Sequence, residues 1–295
     1  MPDSTPQVVI VCAWYNRADY IRTTVDSLLA QKFDSFEVVI VNDGSTDSRV
    51  KETLNSYSDP RLRVIHQNNA GFVKAIRRAI DESQAPYIAI QGAGDISLPD
   101  RLRRQYKVLS NSPSVGAVGS KSSLEIPEDD SFDLLKEGDD YQVSKCSLAK
   151  RVPFTHGTLM LSRKYYEDVG GYDVRMRMCS DWDLYTRLIN VCEINVLGAF
   201  LYRRFAFSDG FTFSPGRKVE QRYFKSIAKE LDQDIKEKRL ANLRDFSKDD
   251  IKKARYLPVT FRYLMGSFKR GDRSNFLQWL NVASDQVISM IKLNW

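Results

Sequence analysis

Predominantly apolar runs alternate with helical patterns over the first hundred residues. Four short runs rich in β-branched and aromatic residues cover Gln7–Ala13, Phe36–Val41, Leu62–His66 and Tyr87–Ile90. Runs of this kind are typical of strands that are buried on both faces of a parallel sheet. Ile21, Val25 and Leu28 follow the first run at helical spacing, and a helix is predicted over Phe72–Ser83. The alternation predicts an α/β fold with a mainly parallel sheet flanked by helices.

A tight loop follows the fourth run, within the segment Pro86–Leu102. Gly92 and Gly94 end the apolar run, and Asp95 comes directly after them. Ligands of open α/β sheets bind at the carboxyl ends of the strands, so residues 92–95 are predicted to form the floor of a site. The loop is not a dinucleotide fingerprint, because serine occupies the third glycine position and no acid follows at the expected distance of about 20 residues.

The second half of the chain is less regular. Residues Ser120–Ala149 contain eight acids and few apolar positions, which predicts a surface excursion. A short strand is predicted over Thr158–Leu161 and a helix over Asp181–Asn190. The last segment, Ser274–Trp295, places apolar residues, including two tryptophans, along a helical stripe. We therefore predict two parts, an α/β domain over residues 1–215 and a helical C-terminal region over residues 216–295.

Composition and charge restrict the function classes. The 295 residues are 42% hydrophobic, and the four cysteines show no C-x-x-C spacing, which favours a reducing cytoplasm over a disulfide framework or a zinc site. No stretch reaches the roughly 18 apolar residues of a spanning helix, so the protein is expected to be neither secreted nor transmembrane. Residues 216–295 hold 18 Lys and Arg against 10 Asp and Glu, whereas residues 1–215 hold 26 against 28. The near-neutral body and the lack of a basic-aromatic motif exclude nucleic acid as the expected partner. An anionic membrane surface and a merely solvated helical face remain as explanations of the basic tail.

Six motifs occur in a fixed order between residues 7 and 212. They are VCAWYN at 11–16, VVIVNDGSTD at 38–47, NNAGF at 68–72, the strand-loop-PDRL segment that ends at Leu102, GGYD at 170–173 and SDWDLYTRL at 180–188. Together they resemble family 2 glycosyltransferases of the GT-A fold. The resemblance implies an inverting, hexosyltransferase-like enzyme that moves a sugar from a nucleotide-sugar donor to a hydroxyl of a glycan or lipid-linked acceptor in polysaccharide biosynthesis. The cysteine pattern predicts a cytoplasmic location. The basic tail with its amphipathic stripe suits a peripheral contact with the cytoplasmic face of the membrane, and a helix packed on the catalytic domain is the alternative.

The resemblance places donor-binding residues at the strand ends. They are Ala13, Tyr15, Asp43, Asn69, Gly71, Lys74, Gly94 and Asp95. Asp43 is expected to accept a hydrogen bond from the nucleotide base, with a helix-capping role as the alternative. Because Asp47 and Ser45 already supply capping groups, we favour the base contact. Lys74 is expected to reach a phosphate, unless it is an ordinary solvated helix lysine.

Asp181 is expected to be the catalytic base, since the resemblance places the family's carboxylate at SDWD. A base that takes the acceptor proton contributes roughly 10²- to 10⁴-fold to the rate. Asp183 is expected to be structural, in a cap or a salt bridge, and Ser180 stands where the family usually has Glu. Three residues are expected near the acceptor or the diphosphate, namely His156, Arg203 and Arg204. For the histidine, a structural role is an equal alternative.

Two departures from the family concern a metal ion. The family's D-x-D carboxylates hold Mg²⁺ or Mn²⁺ against the donor diphosphate, but Gly92 and Gly94 occupy those positions here. Phe205 stands where most members have a histidine. Asp95 is therefore the only expected ligand if a metal is bound, and donor binding is expected to need metal less than in relatives with D-x-D. Loop amides and basic groups such as Arg101 would then carry the leaving-group charge. The alternative is a catalytically inactive nucleotide-sugar-binding protein of the same fold.

Overall fold

The computed structural model describes residues 5–125, 137–205 and 215–241, together with six single residues between 265 and 284. The chain divides into two compact units, residues 1–206 and residues 207–295. The boundary after residue 215 stays a prediction, since residues 206–214 lie outside the described ranges.

The first hundred residues form a regular succession of strands and helices. The elements are β1 (Val8–Trp14), α1 (Ile21–Leu29), β2 (Phe36–Asp43), α2 (Ser48–Asn55), β3 (Leu62–Gln67), α3 (Phe72–Asp81) and β4 (Tyr87–Gln91). Strand β1 pairs in parallel with β2 on one side and with β4 on the other, and β3 continues the sheet beyond β2. Because helices cover both faces of this part, its central strands are apolar throughout. The α/β fold expected from the alternation is confirmed.

The second half extends the sheet with strands of both directions. The elements are β5 (Ile96–Ser97), α4 (Arg101–Asn111), β6 (Val115–Glu125), β7 (Tyr141–Gln142), α5 (Lys145–Lys150), β8 (Met160–Ser162), α6 (Arg163–Asp168), α7 (Ser180–Leu188) and β9 (Glu193–Phe205). The strand order is β3-β2-β1-β4-β8-β6-β9-β5, and β7 pairs with β9. Strand β8 is antiparallel to β4 and to β6. As a result, the residues that precede β8 lie beside the residues that follow β4.

The predicted excursion over Ser120–Ala149 is wrong at both ends. Strand β6 runs on to residue 125 in pairing with β9, and α5 begins after its cap Ser144. The middle, residues 126–136, lies outside the described ranges. Strand β6 was not predicted because its glycine and serine residues interrupt the apolar pattern. Rings from other parts of the chain occupy the space that larger side chains would fill at these positions. A Cβ at Gly119, for example, would overlap the ring of Phe154.

One core cluster packs around the central strands of the first unit. The predicted helical stripe Ile21, Val25 and Leu28 of α1 is fully buried in that cluster. Full burial of each such side chain contributes about 1.5–3 kcal/mol relative to exposure. The loops at the carboxyl ends of β1, β2 and β4 are therefore carried on a rigid support.

The second unit is described mainly by α8 (Pro215–Ala228) and α9 (Gln233–Ala241). Arg239 of α9 donates to the backbone oxygen and to Oγ of Ser226 in α8, both at 2.7 Å. Over the described ranges, none of the helices is both long enough and apolar enough to cross a bilayer. The amphipathic helix predicted over Ser274–Trp295 lies outside the described residues, apart from five single residues that are all helical.

Candidate active site

Three parallel strands end at the same edge of the sheet, and most of the predicted donor-binding residues lie there. Trp14 of β1 is opposite Asn42 of β2, and Cys12 of β1 is opposite Gln91 of β4. The register brings the segment after β1, the turn after β2 and the loop 92–95 together. Ala13 is half-buried at this edge, and Tyr15 is 47% exposed. An exposed aromatic ring at the carboxyl end of a sheet is accessible to a ligand.

Asn16 and Arg17 connect these three segments, a role that was not predicted from the sequence. Both adopt left-handed backbone conformations, with φ of 55° and 61°. Such conformations are uncommon for residues other than glycine. Asn16 Oδ1 accepts from the backbone N–H of Thr46 at 2.9 Å, and Arg17 Nη1 donates to the backbone oxygen of Ala93 at 2.8 Å. The unusual backbone thus directs one side chain to the turn after β2 and the other to the loop after β4.

Asp43 is buried and holds the loop that follows β3. Its Oδ1 accepts from Gln67 Nε2 at 2.7 Å and from the backbone N–H of Ala70 at 2.8 Å, while Oδ2 accepts from the N–H of Gly71 at 2.9 Å. Its backbone oxygen accepts from Asn69 Nδ2 at 2.9 Å. Asp43 therefore shapes the loop after β3, which carries the predicted donor-binding residues Asn69 and Gly71, rather than capping a helix. Gly71 has a φ of 87° at the start of α3, a conformation that glycine adopts without strain.

The capping prediction for α2 is confirmed for one of its two residues. Asp47 is the N-cap of α2 and accepts from the backbone N–H of Arg49 at 3.0 Å. Ser45 instead accepts from the backbone N–H of Asn16 at 2.8 Å. Lys74 is exposed on the first turn of α3.

Asp95 is 9% exposed, and protein groups hold both of its carboxylate oxygens. Oδ2 accepts from the hydroxyl of Tyr202 at 2.9 Å, and Oδ1 accepts from the backbone N–H of Phe205 at 3.0 Å. The Tyr202 oxygen in turn accepts from the backbone N–H of Gly92 at 2.9 Å. Burial raises the pKa of the Asp95 carboxyl, while these hydrogen bonds and the charges of Arg17 and Arg204 act in the opposite direction. The loop 92–95 is thus closed onto strand β9 through one tyrosine and one acid.

The two glycines of this loop are required by its geometry. A Cβ at Gly92 would overlap Asp95 Oδ2 and would lie 3.1 Å from the Tyr202 oxygen. Gly94 has a φ of 93°, which side chains strongly disfavour. A carboxylate at position 92, as in D-x-D, is incompatible with the observed placement of Asp95.

Arg101 lies beneath the loop, and the expectation that it contacts the leaving group is wrong. The side chain is fully buried. All five of its N–H groups donate to protein acceptors, on Gln105, Gln91, Ser97, Ile90 and Leu159. Burial lowers the pKa of this guanidinium to about 10. No donor of Arg101 remains for a ligand, so its role is to join β4, α4 and the segment before β8.

A cleft of about 610 Å³ opens above the loop. Gly92 and Asp95 of this loop line it, together with Phe72, Phe154, Thr155 and His156. Two further predicted site residues, Asp181 and Arg204, also line the cleft. Four residues predicted from distant parts of the sequence therefore share this cleft, namely Asp95, His156, Asp181 and Arg204. Arg203 and Lys74 do not line it.

Asp181 lies in the first turn of α7, two residues after the left-handed residue that caps this helix. Cys179, the N-cap of this helix, has a φ of 56°. In the described part of the chain, no N–H or O–H group donates to the Asp181 carboxylate, so it is available to a ligand in the cleft. Asp183 is buried and pairs with Arg187, whose Nε donates at 3.1 Å. The predicted structural role of Asp183 is confirmed.

His156 precedes β8 and is held between two tyrosines. Nδ1 lies 2.8 Å from the hydroxyl of Tyr185, and Nε2 lies 2.9 Å from the hydroxyl of Tyr172. Burial lowers the pKa of the imidazole, with the nearby charge of Asp181 acting against it. In the neutral ring only one nitrogen carries a proton, so one tyrosine donates and the other accepts. His156 thereby links the GGYD and SDWDLYTRL motifs next to Asp181, whose charge also acts on both tyrosines.

The residues of the cleft do not fit the divalent metal that the fold family implies. A hard cation such as Mg²⁺ requires near-octahedral oxygen coordination, whereas the loop supplies one carboxylate whose two oxygens already accept hydrogen bonds. The Phe205 side chain has no ligand atom. Among the described residues, no group of three or more His, Cys, Asp and Glu side chains is arranged to hold a metal ion.

The family model for glycosyl transferase family 2 matches residues 8–170, more than half of the chain. The chain belongs to glycosyl transferase family 2. An uncharacterized glycosyltransferase of Rickettsia felis is 26% identical over 198 residues, which cover 64% of this chain and 32% of the relative. A second, from Methanocaldococcus jannaschii, is 26% identical over 207 residues, which cover 67% of this chain and 70% of the relative. This chain thus matches about a third of the Rickettsia protein.

Solved structures of S. aureus TarS are similar in fold to this family 2 chain. TarS 1-349 in complex with UDP-GlcNAc has a TM-score of 0.60 and 16% identity, covering 96% of this chain and 92% of that one. The complex of the same protein with UDP has a TM-score of 0.59, with the same identity and coverage. The likeness confirms the predicted GT-A fold.

Proposed function

We propose that this family 2 glycosyltransferase moves a hexose from a UDP-sugar to a hydroxyl of a glycan or lipid-linked acceptor, with inversion at the sugar carbon. The observation that carries the proposal is the shared cleft, which Asp181 lines together with Gly92 and Asp95 of the loop 92–95. The fold similarity to TarS, whose structures contain UDP and UDP-GlcNAc, supports a uridine nucleotide.

Asp181 acts as the general base in this proposal. The acceptor hydroxyl oxygen attacks the anomeric carbon, and its proton passes to a carboxylate oxygen of Asp181. The bond between the anomeric carbon and the leaving oxygen breaks on the opposite face, and its electron pair stays on the β-phosphate of UDP. A positioned base contributes about 10²- to 10⁴-fold to such a step. His156 fixes the hydroxyl groups of Tyr172 and Tyr185, on which the charge of Asp181 acts.

The nucleotide binds at the sheet edge next to the cleft. Gly71 precedes Phe72, which lines the cleft, so the loop held by Asp43 adjoins the sugar-binding space. We propose that the uracil base of the nucleotide lies between this loop and Tyr15, near Ala13 and Asn69. In this proposal Asp43 supports the nucleotide base by shaping the loop, and Oδ2, which accepts one hydrogen bond from the protein, accepts a second from the base.

Donor binding is proposed to be independent of a divalent metal. The loop 92–95 lacks the carboxylate pair of D-x-D, and Asp95 is bonded to Tyr202 and Phe205. Removing carboxylates from a diphosphate site also removes the negative potential that a metal must neutralise. The loop therefore repels a diphosphate less than D-x-D does.

The experiment is a screen of UDP-sugars for UDP release and transfer, with wild-type protein, Asp181→Asn and the control Asp168→Asn. Asp168 is an exposed acid at the end of α6. We expect Asp181→Asn to lose transfer by at least 10²-fold while UDP affinity stays within a few fold, because the amide keeps the shape but cannot accept the proton. Transfer by Asp181→Asn at the wild-type rate would exclude Asp181 as the base. Wild-type protein that binds UDP-sugars but turns over none of them would instead favour the inactive nucleotide-sugar-binding protein.

Contact with a membrane is proposed for the basic region 216–295. A basic amphipathic segment with two tryptophans is typical of binding to anionic lipid surfaces. Deletion of Ser274–Trp295 is expected to abolish co-sedimentation with anionic vesicles and to leave the melting temperature unchanged. Unfolding of the truncated protein with unchanged co-sedimentation would show that the segment packs on the protein instead.

A further inference from the structure

We propose that Arg204 supplies the positive charge that binds the donor diphosphate and stabilises the leaving group, in place of a metal ion. The inference rests on the proposed function, since it assigns the diphosphate-binding group of the same cleft. It follows from three observations on the described residues. The Arg204 side chain is directed to the cleft, it makes no hydrogen bond to another residue, and no second formal cation lines the cleft.

Strand β9 places Arg204 above the donor loop. Residues two apart in a strand point to the same face, so Arg204 and Tyr202 share a face while Arg203 points to the other. The hydroxyl of Tyr202 contacts the N–H of Gly92 and the carboxylate of Asp95. Arg204 is one step further along that face and lines the cleft together with Gly92 and Asp181.

The Arg204 side chain makes no hydrogen bond to another residue in the described part of the chain, although its backbone belongs to β9, which pairs with β6. Its Nε is buried and unpaired, and a buried donor without a partner is unfavourable. Asp95 is close enough for the charge of Arg204 to lower its pKa. However, the oxygens of Asp95 accept from Tyr202 and Phe205, and no ion pair joins Asp95 to Arg204. The donors of the Arg204 guanidinium are thus unused by the described residues.

Arg204 is also the sole formal cation among the described residues that line the cleft. His156 lies there too, but burial lowers the pKa of its imidazole, and both of its nitrogens are engaged by tyrosines. A departing diphosphate develops negative charge that must be stabilised where it forms. The planar guanidinium matches two phosphate oxygens at once, which makes arginine well suited to this task.

The test is calorimetric titration of uridine, UMP and UDP into wild-type protein and into Arg204→Gln and Arg204→Lys, all with EDTA. The control is Arg103→Gln, which removes the same charge from an exposed position on α4 that pairs with Asp100. We expect Arg204→Gln to weaken UDP binding by about 10- to 100-fold, the usual range for a hydrogen bond to a charged group. Uridine affinity is expected to stay constant in all variants, and UMP affinity to change less than that of UDP. Arg204→Lys is expected to recover part of the loss.

Equal UDP affinity of wild-type protein and Arg204→Gln would overturn the inference while leaving the proposed function intact. An equal loss for uridine and UDP would also overturn it, because it would indicate a damaged site instead of a lost phosphate contact. A gain of more than tenfold in wild-type UDP affinity on adding excess Mn²⁺ would assign the charge to a metal and overturn it as well. Wild-type protein that binds neither UDP nor uridine would refute the proposed function, and the inference with it.

Discussion

Replacing Gly92 with alanine is the most direct test of the closed donor loop. The added Cβ would overlap Asp95 Oδ2 and would lie 3.3 Å from Asp95 Cγ and 3.1 Å from the Tyr202 oxygen. Asp95 is already held from the other side by the backbone N–H of Phe205. Its carboxylate must therefore rotate away from Tyr202, which breaks their 2.9 Å hydrogen bond.

The magnitude follows from that one bond. A hydrogen bond to a charged group contributes about 1.5–3 kcal/mol, so Gly92→Ala is expected to lower the free energy of unfolding by this amount. A domain of 150–250 residues loses about 2–4 °C of melting temperature per kcal/mol. The expected decrease in melting temperature is therefore about 3–12 °C. UDP affinity is expected to fall as well, since the Gly92 amide moves with the loop.

A double-mutant cycle with Asp95→Ala isolates the steric cause. Once the carboxylate is gone, the alanine at position 92 has room, so the two substitutions together should cost less than the sum of their separate effects. Coupling of about 0.5–3 kcal/mol, measured by chemical denaturation, is the range for residues in contact. Additive effects, or a Gly92→Ala protein with the wild-type melting temperature, would show that the loop adapts easily and that Gly92 is not required by Asp95.

Three further outcomes are expected at residues that hold the cleft. Asp43→Ala should lower the melting temperature and weaken UDP binding by about 1–3 kcal/mol, because the donors of the loop after β3 lose their acceptor. Tyr202→Phe should destabilise by about 1–3 kcal/mol, since the N–H of Gly92 loses its partner. For His156, whose pKa is lowered by burial, the unfolded chain binds the proton more tightly than the folded one. Stability should therefore fall as the pH drops below the ordinary value of about 6.5, and His156→Gln should remove part of that dependence.

For each of these predictions, one result would contradict the expected role of the residue. Unchanged UDP affinity with a lowered melting temperature in Asp43→Ala would restrict Asp43 to a structural role. A Tyr202→Phe protein as stable as wild type would contradict the closure of the loop by its hydroxyl. The groups that face His156 are Tyr172, Tyr185 and Asp181. The pKa of His66 is also lowered by burial, so His66→Gln serves as the comparison, and an identical pH profile for His156→Gln and wild type would refute the assignment.

The sequence pattern predicts the first half of the fold well because that half is a regular alternation of strands and helices, each with its own local periodicity. The four apolar runs match β1 to β4 to within two residues at each end, and the helix predicted over Phe72–Ser83 is α3. Strand β6 was missed because its glycines pack under rings that come from elsewhere in the chain. Local periodicity carries no information about such a partner.

The candidate site likewise contains residues that the sequence revealed and residues that it did not. The resemblance of the motifs brought out Asp181, His156 and Arg204, which the structure places in one cleft. The sequence did not show that Arg101 is buried with every donor used, because its five acceptors lie between 4 and 58 residues away. The left-handed pair Asn16 and Arg17 was also missed, since no glycine marks the turn.

The closure of the donor loop also determines when the site is completed during synthesis. The hydrogen bonds of Asp95 form only after Tyr202 and Phe205 have been synthesised, and these residues follow it by 107 and 110 positions. Strands β1 to β4 pair with one another within the first 91 residues and are able to fold early, whereas the contacts of Asp95 with β9 span longer separations and form late. On the ribosome, the loop 92–95 stays open until residue 205 has emerged. A nascent chain stopped before β9 would carry the paired strands β1 to β4 without the closed loop 92–95, so under the proposed function UDP binding during translation would report the arrival of the last strand.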